Sequence, residues 1–304
     1  MTKKSKSIVI LAGPTAVGKT SLSIQLAKRF ETEIISADSR QFYKEMEIGT
    51  AKPTLKEMDG IKHHFVNSHS IQEDYNVGRF EKDALSLLDT LFQKHDIVLV
   101  VGGSGLYVKA LCEGIDDMPV ISTEIRQNLN VEFEQNGIEY LQKKVLESDP
   151  EYFEIVDQQN PQRLIRALEL FRATGHNMTY YRAQKKEIDR PFNIIKIGLE
   201  RPREELYNRI NLRMDQMISE GLFEEAENLY QYKELNALQT VGYSEIFRFL
   251  DEEYDMEEAV RLLKRNSRRY AKRQMTWFKK DSEFVWFSAD KVNKVIDYIE
   301  SRLL

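Results

Sequence analysis

"VILAGPTAVGKTSLSIQLAKRF", from Val9 to Phe30, decides the fold. A β-branched run, Ile8 to Leu11, ends in a glycine turn, and beyond Lys19 the apolar residues Leu22, Leu26, Ala27 and Phe30 recur at helical spacing. Between strand and helix stands Gly13-Pro14-Thr15-Ala16-Val17-Gly18-Lys19-Thr20, the G-x-x-x-x-G-K-[ST] pattern of a phosphate-holding loop. Its glycines let successive backbone N–H groups converge on an anion. The helix N-terminus adds partial positive charge, Lys19 adds a point charge, and the Thr20 hydroxyl can hold Mg²⁺. The pattern says that phosphates bind here, not which molecule carries them.

Working outward, Glu33 to Ser36 reads as a second buried strand, and Val77, Phe80, Ala84, Leu87, Leu88 and Leu91 form a helical stripe leading to a third, Ile97 to Val101. Strands alternating with helices predict an α/β fold: a P-loop NTPase-like parallel sheet covered by helices on both faces. Loops beginning near Gly13, Asp38 and Gly102 should then converge at the carboxyl edge of the strands. From about Pro119 to Arg190 the strand signal gives way to polar, helical text punctuated by Asp149-Pro150, Asn160-Pro161 and Gly175. This is the pattern of a helical insert domain. Ile194 to Leu199 returns to the sheet, helices broken at Gly221 and Gly242 follow, and a strand near Val285 to Phe287 precedes a closing helix. The expected division is residues 1–118 as the first part of the core, 119–190 as the insert, and 191–304 as the second part with basic C-terminal helices.

The 304 residues carry 44 Lys and Arg against 49 Asp and Glu, a net charge of -5 that in bulk disfavours a polyanionic partner. One stretch reverses this. In "RLLKRNSRRYAKRQMTWFKK", Arg261, Lys264, Arg265, Arg268, Arg269, Lys272, Arg273, Lys279 and Lys280 stand with no carboxylate, and Tyr270, Trp277 and Phe278 lie among them. Such a helix tracks a phosphate backbone. The competing reading pairs its arginines with acidic neighbours such as Asp251 to Glu258 and sends its aromatics into the core. Gln162 to Arg166 and Tyr180 to Lys186 add positive charge to the insert, so that two basic surfaces could grip a folded nucleic acid. The lone Cys112 excludes an intrachain disulfide, and no apolar run approaches the roughly 20 residues of a membrane-spanning helix. The charged start leads straight into the first strand, so a cytoplasmic protein is expected. His63, His64 and His69 lack a ligand spacing and read as a solvent loop or local packing.

Asp38 stands just past the second strand, at the ligand edge, where it is either a turn cap or a general base. Many nucleoside-triphosphate hydrolases end the third strand in an acidic metal-holding residue. Here Gly102-Gly103-Ser104-Gly105 follows instead, which weakens the hydrolase reading and marks a place where a flat or bulky group approaches the backbone. Ser104 alternatively caps a helix over Leu106 to Leu111. Arg209 and Arg213 lie four apart on one helical face; Arg209 is placed to pair with Glu205, whereas Arg213 could reach phosphates.

At this point the chain resembles the bacterial tRNA dimethylallyltransferases along nearly its whole length. The resemblance runs in order through GPTAVGKT, Ile35 to Pro53, His63-His64, "VGGSGLY", "NPQRLIRALE", "RINLRMDQMISEGLFEE", "VGYSE" and "AKRQMTWFKK". It implies transfer of a dimethylallyl group from dimethylallyl diphosphate to the exocyclic amine, N6, of adenine 37, just 3′ of the anticodon, in tRNAs reading codons that begin with U. Residues Gly13 to Thr20 would hold the diphosphate, with Mg²⁺ at Thr20, while Asp38, Ser104 and Arg213 would serve catalysis. The anticodon stem-loop would meet Asp38, Ser39, Arg40, Gln41, Ser104, Arg126, Gln162, Arg163, Leu164, Ile165, Arg166, Thr240, Val241, Gly242 and Tyr243, with Arg269 and Arg273 on the basic helix. The chain departs from the family pattern at Ser104, where many members carry Thr, and at Arg40 and Phe42, where Met and an aliphatic residue are expected. Self-contained donor and acceptor surfaces make a monomer the expectation, with no membrane partner. The alternatives are a small-molecule or nucleoside kinase, a prenyltransferase of free adenine nucleotides, and a non-catalytic RNA-binding protein.

Overall fold

The first strand is apolar except for Ser7 and buried along its whole length, as the centre of a parallel sheet requires. In the computed structural model, which describes residues 6–115, 118–119, 121–184 and 188–303, the strands are β1 (Ser7–Ala12), β2 (Ile34–Ser36), β3 (His63–His64), β4 (Ile97–Gly102), β5 (Asn193–Glu200) and β6 (Val285–Ser288). They pair in the order β3-β2-β4-β1-β5-β6, all parallel, with Ile10 of β1 opposite Val100 on one side and Lys196 on the other. Alternate residues point to opposite faces. Ile8, Ile10, Ile35, Val98 and Val100 enter one core, while Val9, Leu11, Ile34, Leu99 and Ile197 enter the other.

The chain divides into two compact units, residues 1–113 with 190–304, and residues 114–189. In the first, the helices are α1 (Lys19–Arg29), α2 (Leu55–Met58), α3 (Val77–Leu91) and α4 (Gly105–Glu113). The second holds α5 (Thr123–Ser148), α6 (Pro150–Ile155), α7 (Pro161–Thr174) and α8 (Met178–Ala183). The first resumes with α9 (Arg203–Ser219), α10 (Leu222–Leu229), α11 (Ser244–Leu250), α12 (Met256–Phe278) and α13 (Val292–Leu303). On α3, Phe80, Ala84, Leu88 and Leu91 are buried. Helix α12 buries Ala259, Leu262, Leu263, Ser267, Ala271, Gln274 and Phe278 along one stripe and packs against α4, α9 and α11.

In the 114–189 unit the punctuation of the sequence becomes helix caps. Asp149 and Asn160 accept backbone N–H bonds from Tyr152 and Arg163, each followed by proline at the first helical position, and Gly175 closes α7 in the left-handed conformation. The unit has its own core of Leu129, Leu141, Val145, Leu164, Ile165, Leu168 and Leu170. Lys185 and Lys186 of its expected basic stretch lie outside the described residues.

One local expectation is corrected. His63 and His64 form an edge strand on β2, which makes Ile97 to Gly102 the fourth strand in chain order. The reason is long-range: the Glu33 carboxylate holds His64 Nε2 at 2.5 Å, and Ile34 N–H donates to Lys62 O at 3.0 Å.

Candidate active site

The loops that follow β1, β2 and β4 are joined by hydrogen bonds at the carboxyl edge of the sheet. In the first, Gly18 (φ +115°) turns the chain into α1, a conformation that side chains rarely adopt. Lys19 Nζ donates to Gly13 O (3.0 Å) and Pro14 O (2.9 Å), Arg209 Nε to Ala16 O (2.8 Å) and Arg201 Nε to Val17 O (2.7 Å). Cations thus engage the carbonyls of the loop. Glu205 pairs with Arg201, so Arg209 serves the loop and not the salt-bridged stripe expected from the sequence. Burial pushes the Lys19 ammonium down to about 8; Asp38 opposes this and Arg213 reinforces it. Burial also lowers Arg213.

Asp38 caps its turn with one carboxylate oxygen and leaves the other open. Its Oδ1 accepts from Arg40 N (2.9 Å) and Gln41 N (3.3 Å), which fixes the turn, while Oδ2 has no hydrogen-bond partner among the described residues. Ser104 does not cap α4 with its side chain. Its hydroxyl accepts from Ser39 N (2.8 Å) and donates to Ser39 Oγ (3.0 Å), tying the loop after β4 to the loop after β2. Tyr270 of α12 lies within electrostatic reach of Asp38 and Ser104, and its phenol is pushed up to about 12, first by burial and then by Asp38. Phe42 is fully buried against Tyr43 and Tyr75, so its departure from the family pattern is a matter of packing.

The glycines after β4 are points of close approach. A Cβ at Gly102 would fall 2.1 Å from Ala37 O, one at Gly103 2.3 Å from Gln274 Nε2, and one at Gly105 2.0 Å from Trp277 Cδ1. The groups that approach this backbone belong to the protein itself. Gln274, buried on α12, donates to Gly103 O (3.0 Å) and accepts from Thr15 N (2.9 Å), joining the phosphate loop to the loop after β4. Sequence reading passed over it. The available signal was a lone neutral amide on the apolar stripe of a highly charged helix.

The opposite wall, residues 41–51, is held from a distance. Gln41 Nε2 donates to Thr50 O and Ala51 O (both 3.3 Å), and Arg213 Nη2 to Ala51 O (3.0 Å). The Glu225 carboxylate accepts three backbone N–H groups, from Glu47 (2.9 Å), Ile48 (2.7 Å) and Gly49 (2.9 Å), together with the Tyr243 hydroxyl (2.5 Å). Tyr243 is fully buried against Gly49, where a Cβ would stand 2.5 Å from its ring. The Tyr243 side chain is therefore a pillar and not an exposed contact. Gly242 N–H donates to buried Glu245 (2.8 Å), and Thr240 O receives Tyr243 N and Ser244 N, leaving Thr240 and Val241 half-buried.

Within the 114–189 unit, Arg126, Gln162 and Arg166 gather around Glu169, a carboxylate only 2% exposed. Arg126 meets Glu169 at 3.2 Å and Gln162 Oε1 at 2.6 Å, and Arg166 meets Glu169 at 3.3 Å. Arg163 is exposed, whereas the Leu164 and Ile165 side chains lie in the core and face no partner.

The basic run of α12 is paired along only part of its length. Towards its start Arg261 pairs with Glu258, Lys264 with Asp215 and Arg268 with Asn211, and beyond its end Lys279 pairs with Glu200. Arg269, Lys272, Arg273 and Lys280 are exposed and make no ion pair among the described residues, although Arg273 lies over the Tyr270 ring. Of the Asp251 to Glu258 cluster, only Glu258 pairs with this run among the described residues.

A family model described as IPP transferase matches residues 41–281. The chain belongs to the IPP transferase family. It is 54% identical over 299 residues to a tRNA dimethylallyltransferase of Cytophaga hutchinsonii, covering 98% of each chain, and 46% identical to tRNA dimethylallyltransferase 1 of Bacteroides fragilis, covering 98% of this chain and 99% of that one. Among solved structures it resembles the tRNA isopentenylpyrophosphate transferase of Bacillus halodurans (37% identity, TM-score 0.73, 99% of this chain and 97% of that one). It also resembles a eukaryotic dimethylallyltransferase acting on tRNA (27% identity, TM-score 0.77, 94% and 74%). The fold is that of these P-loop-like IPP transferases.

Proposed function

We propose that the protein transfers a dimethylallyl group from dimethylallyl diphosphate to N6 of adenine 37 in tRNAs reading codons that begin with U, releasing diphosphate. The carrying observation is that Asp38, one of whose carboxylate oxygens has no hydrogen-bond partner among the described residues, stands within Coulombic reach of Lys19 of the phosphate loop and of Arg213. Belonging to the IPP transferase family supports the same reading. The kinase alternative is not favoured: it leaves the uncompensated end of α12 without a purpose.

An adenine amine is a weak nucleophile because its lone pair is delocalised into the ring. Asp38 Oδ2 accepts its proton as the C–N bond forms. Breakage of the allylic C–O bond leaves its electron pair on diphosphate, which the loop amides not already bonded within the protein, Lys19 and Arg213 neutralise. Ser104 holds the Asp38 turn through Ser39. Thr20 Oγ1 is a hard oxygen donor with no hydrogen-bond partner among the described residues, so it fits Mg²⁺. When bound, that ion would add positive charge against the diphosphate.

The adenine must leave its stack to meet the donor. The tRNA surfaces we assign are Asp38 to Gln41, Ser104, Thr240 to Gly242, Arg269 and Arg273 on the first unit, with Arg126, Gln162, Arg163 and Arg166 on the second. We assign the protein to the cytoplasm as a monomer. No described helix is long and apolar enough to cross a membrane. The test incubates it with radiolabelled dimethylallyl diphosphate, Mg²⁺ and either unmodified tRNA or AMP. Label is expected in tRNA alone. Label in AMP alone, or ATP-dependent phosphorylation of a small molecule with no label in tRNA, overturns the assignment.

A further inference from the structure

Trp277 is 40% exposed, one of two large hydrophobic side chains among the described residues of α12 left open to solvent, the other being Met256 at its far end. Its five-membered ring lies against the backbone of Gly105, where an added Cβ would meet Cδ1 at 2.0 Å and Nε1 at 2.2 Å. Gly105 directly follows Ser104, whose hydroxyl bonds the Ser39 side chain beside Asp38. The indole is therefore anchored along one edge a single residue from the candidate site. No other aromatic ring and no cation is stacked on it among the described residues, unlike Trp286, which carries Lys279 at 5.3 Å. Arg273 one turn before it and Lys280 one turn after it are exposed, as are Arg269 and Lys272, and none of the four makes an ion pair among the described residues.

A fixed, open aromatic surface amid unneutralised cations fits an unpaired nucleic-acid base: the cations take the flanking phosphates and the ring takes the base. We infer that Trp277 is a stacking platform for an RNA base adjacent to the extruded adenine. Pulling one base out of an anticodon loop strips its neighbour of a stacking partner, and the indole replaces that partner at the lip of the site. This inference rests on the reading of the partner as tRNA. It adds a determinant that acts on the RNA and leaves the donor untouched.

The sequence contains two tryptophans, so their emission can be assigned by substitution. Titration with an unmodified anticodon stem-loop RNA is expected to quench the parent protein and Trp286→Phe, and to leave Trp277→Phe almost unquenched. In the transfer assay Trp277→Ala should raise the KM for RNA about tenfold or more, with the KM for dimethylallyl diphosphate unmoved, and Trp277→Phe should restore most of the loss because a phenyl ring also stacks. Quenching retained in Trp277→Phe, or a fall in kcat with an unchanged RNA KM in Trp277→Ala, overturns the inference. Absence of label transfer by the parent protein would instead overturn the proposed function, so the two failures are told apart.

Discussion

The two walls of the site are built in opposite ways. The phosphate loop is local: eight consecutive residues supply the turn, the N–H groups and the lysine, and Arg201 and Arg209 only brace the outward carbonyls. The wall from Gln41 to Ala51 has internal bonds, such as Gln41 Nε2 to Thr50 O, but no motif that sets its course. It takes its shape from Glu225, Tyr243 and Arg213, more than 150 residues away in the sequence. The first wall carries its chemistry in a motif, and the second borrows its geometry from distant helices, so substitutions in the two should fail differently.

The sharpest break is at Asp38, where the walls meet. Asp38→Asn keeps an oxygen for the turn but removes the base, and turnover should fall by roughly 10²-fold or more with RNA affinity retained; unchanged turnover would reduce Asp38 to a cap. Next, Glu225→Ala orphans three backbone N–H groups and a buried phenol. Charge-assisted bonds contribute roughly 1.5–3 kcal/mol each and do not add, so a stability loss of at least about 3 kcal/mol in chemical unfolding is expected. The distant wall would lose its fold while Lys19→Ala leaves stability nearly intact; equal effects would dissolve the contrast.

The phosphate wall should show its own pH signature. The Lys19 pKa is lowered to about 8, so the ammonium is present below that pH and lost above it. Diphosphate affinity is therefore expected to decline towards a tenfold loss per pH unit above about 8, and titrations that stay flat to high pH would exclude Lys19 as the anion contact. Gln274→Ala should weaken donor affinity about tenfold, since it leaves the buried Gly103 carbonyl without its donor and frees Thr15 N–H from its restraint. Smallest in effect, Arg269→Ala combined with Arg273→Ala should weaken RNA binding several-fold at moderate salt and reduce the slope of log affinity against log salt by roughly one to two. An unaltered slope would return that end of α12 to a structural role.

What could be read in the sequence follows the same division. The phosphate loop, the central strands and the capped helices of the 114–189 unit depend on neighbours a few residues apart, and pattern reaches that far. Ser104 shows where pattern stops: a serine before a helix looks like a cap, but its hydroxyl bonds Ser39 across the sheet edge. Gly102, Gly103 and Gly105 signalled close approach, and only the folded chain reveals that Ala37, Gln274 and Trp277 are what approach. Arg209 had a plausible partner four residues away and took a loop carbonyl in another part of the chain instead. Each misreading puts a contact across space where a local one was available.

The strand order has a consequence in time. β1 pairs with β4 and β5, Ser7 lying opposite Ile97 and Asn193, so the strand before the phosphate loop meets its first partner early but lacks its second until most of the chain has been synthesised. The residues 114–189, whose core is their own, can pack earlier because their contacts are nearer in sequence. The motif that announces the fold near the start of the chain therefore waits, on a growing polypeptide, for one of the last strands to give it a floor.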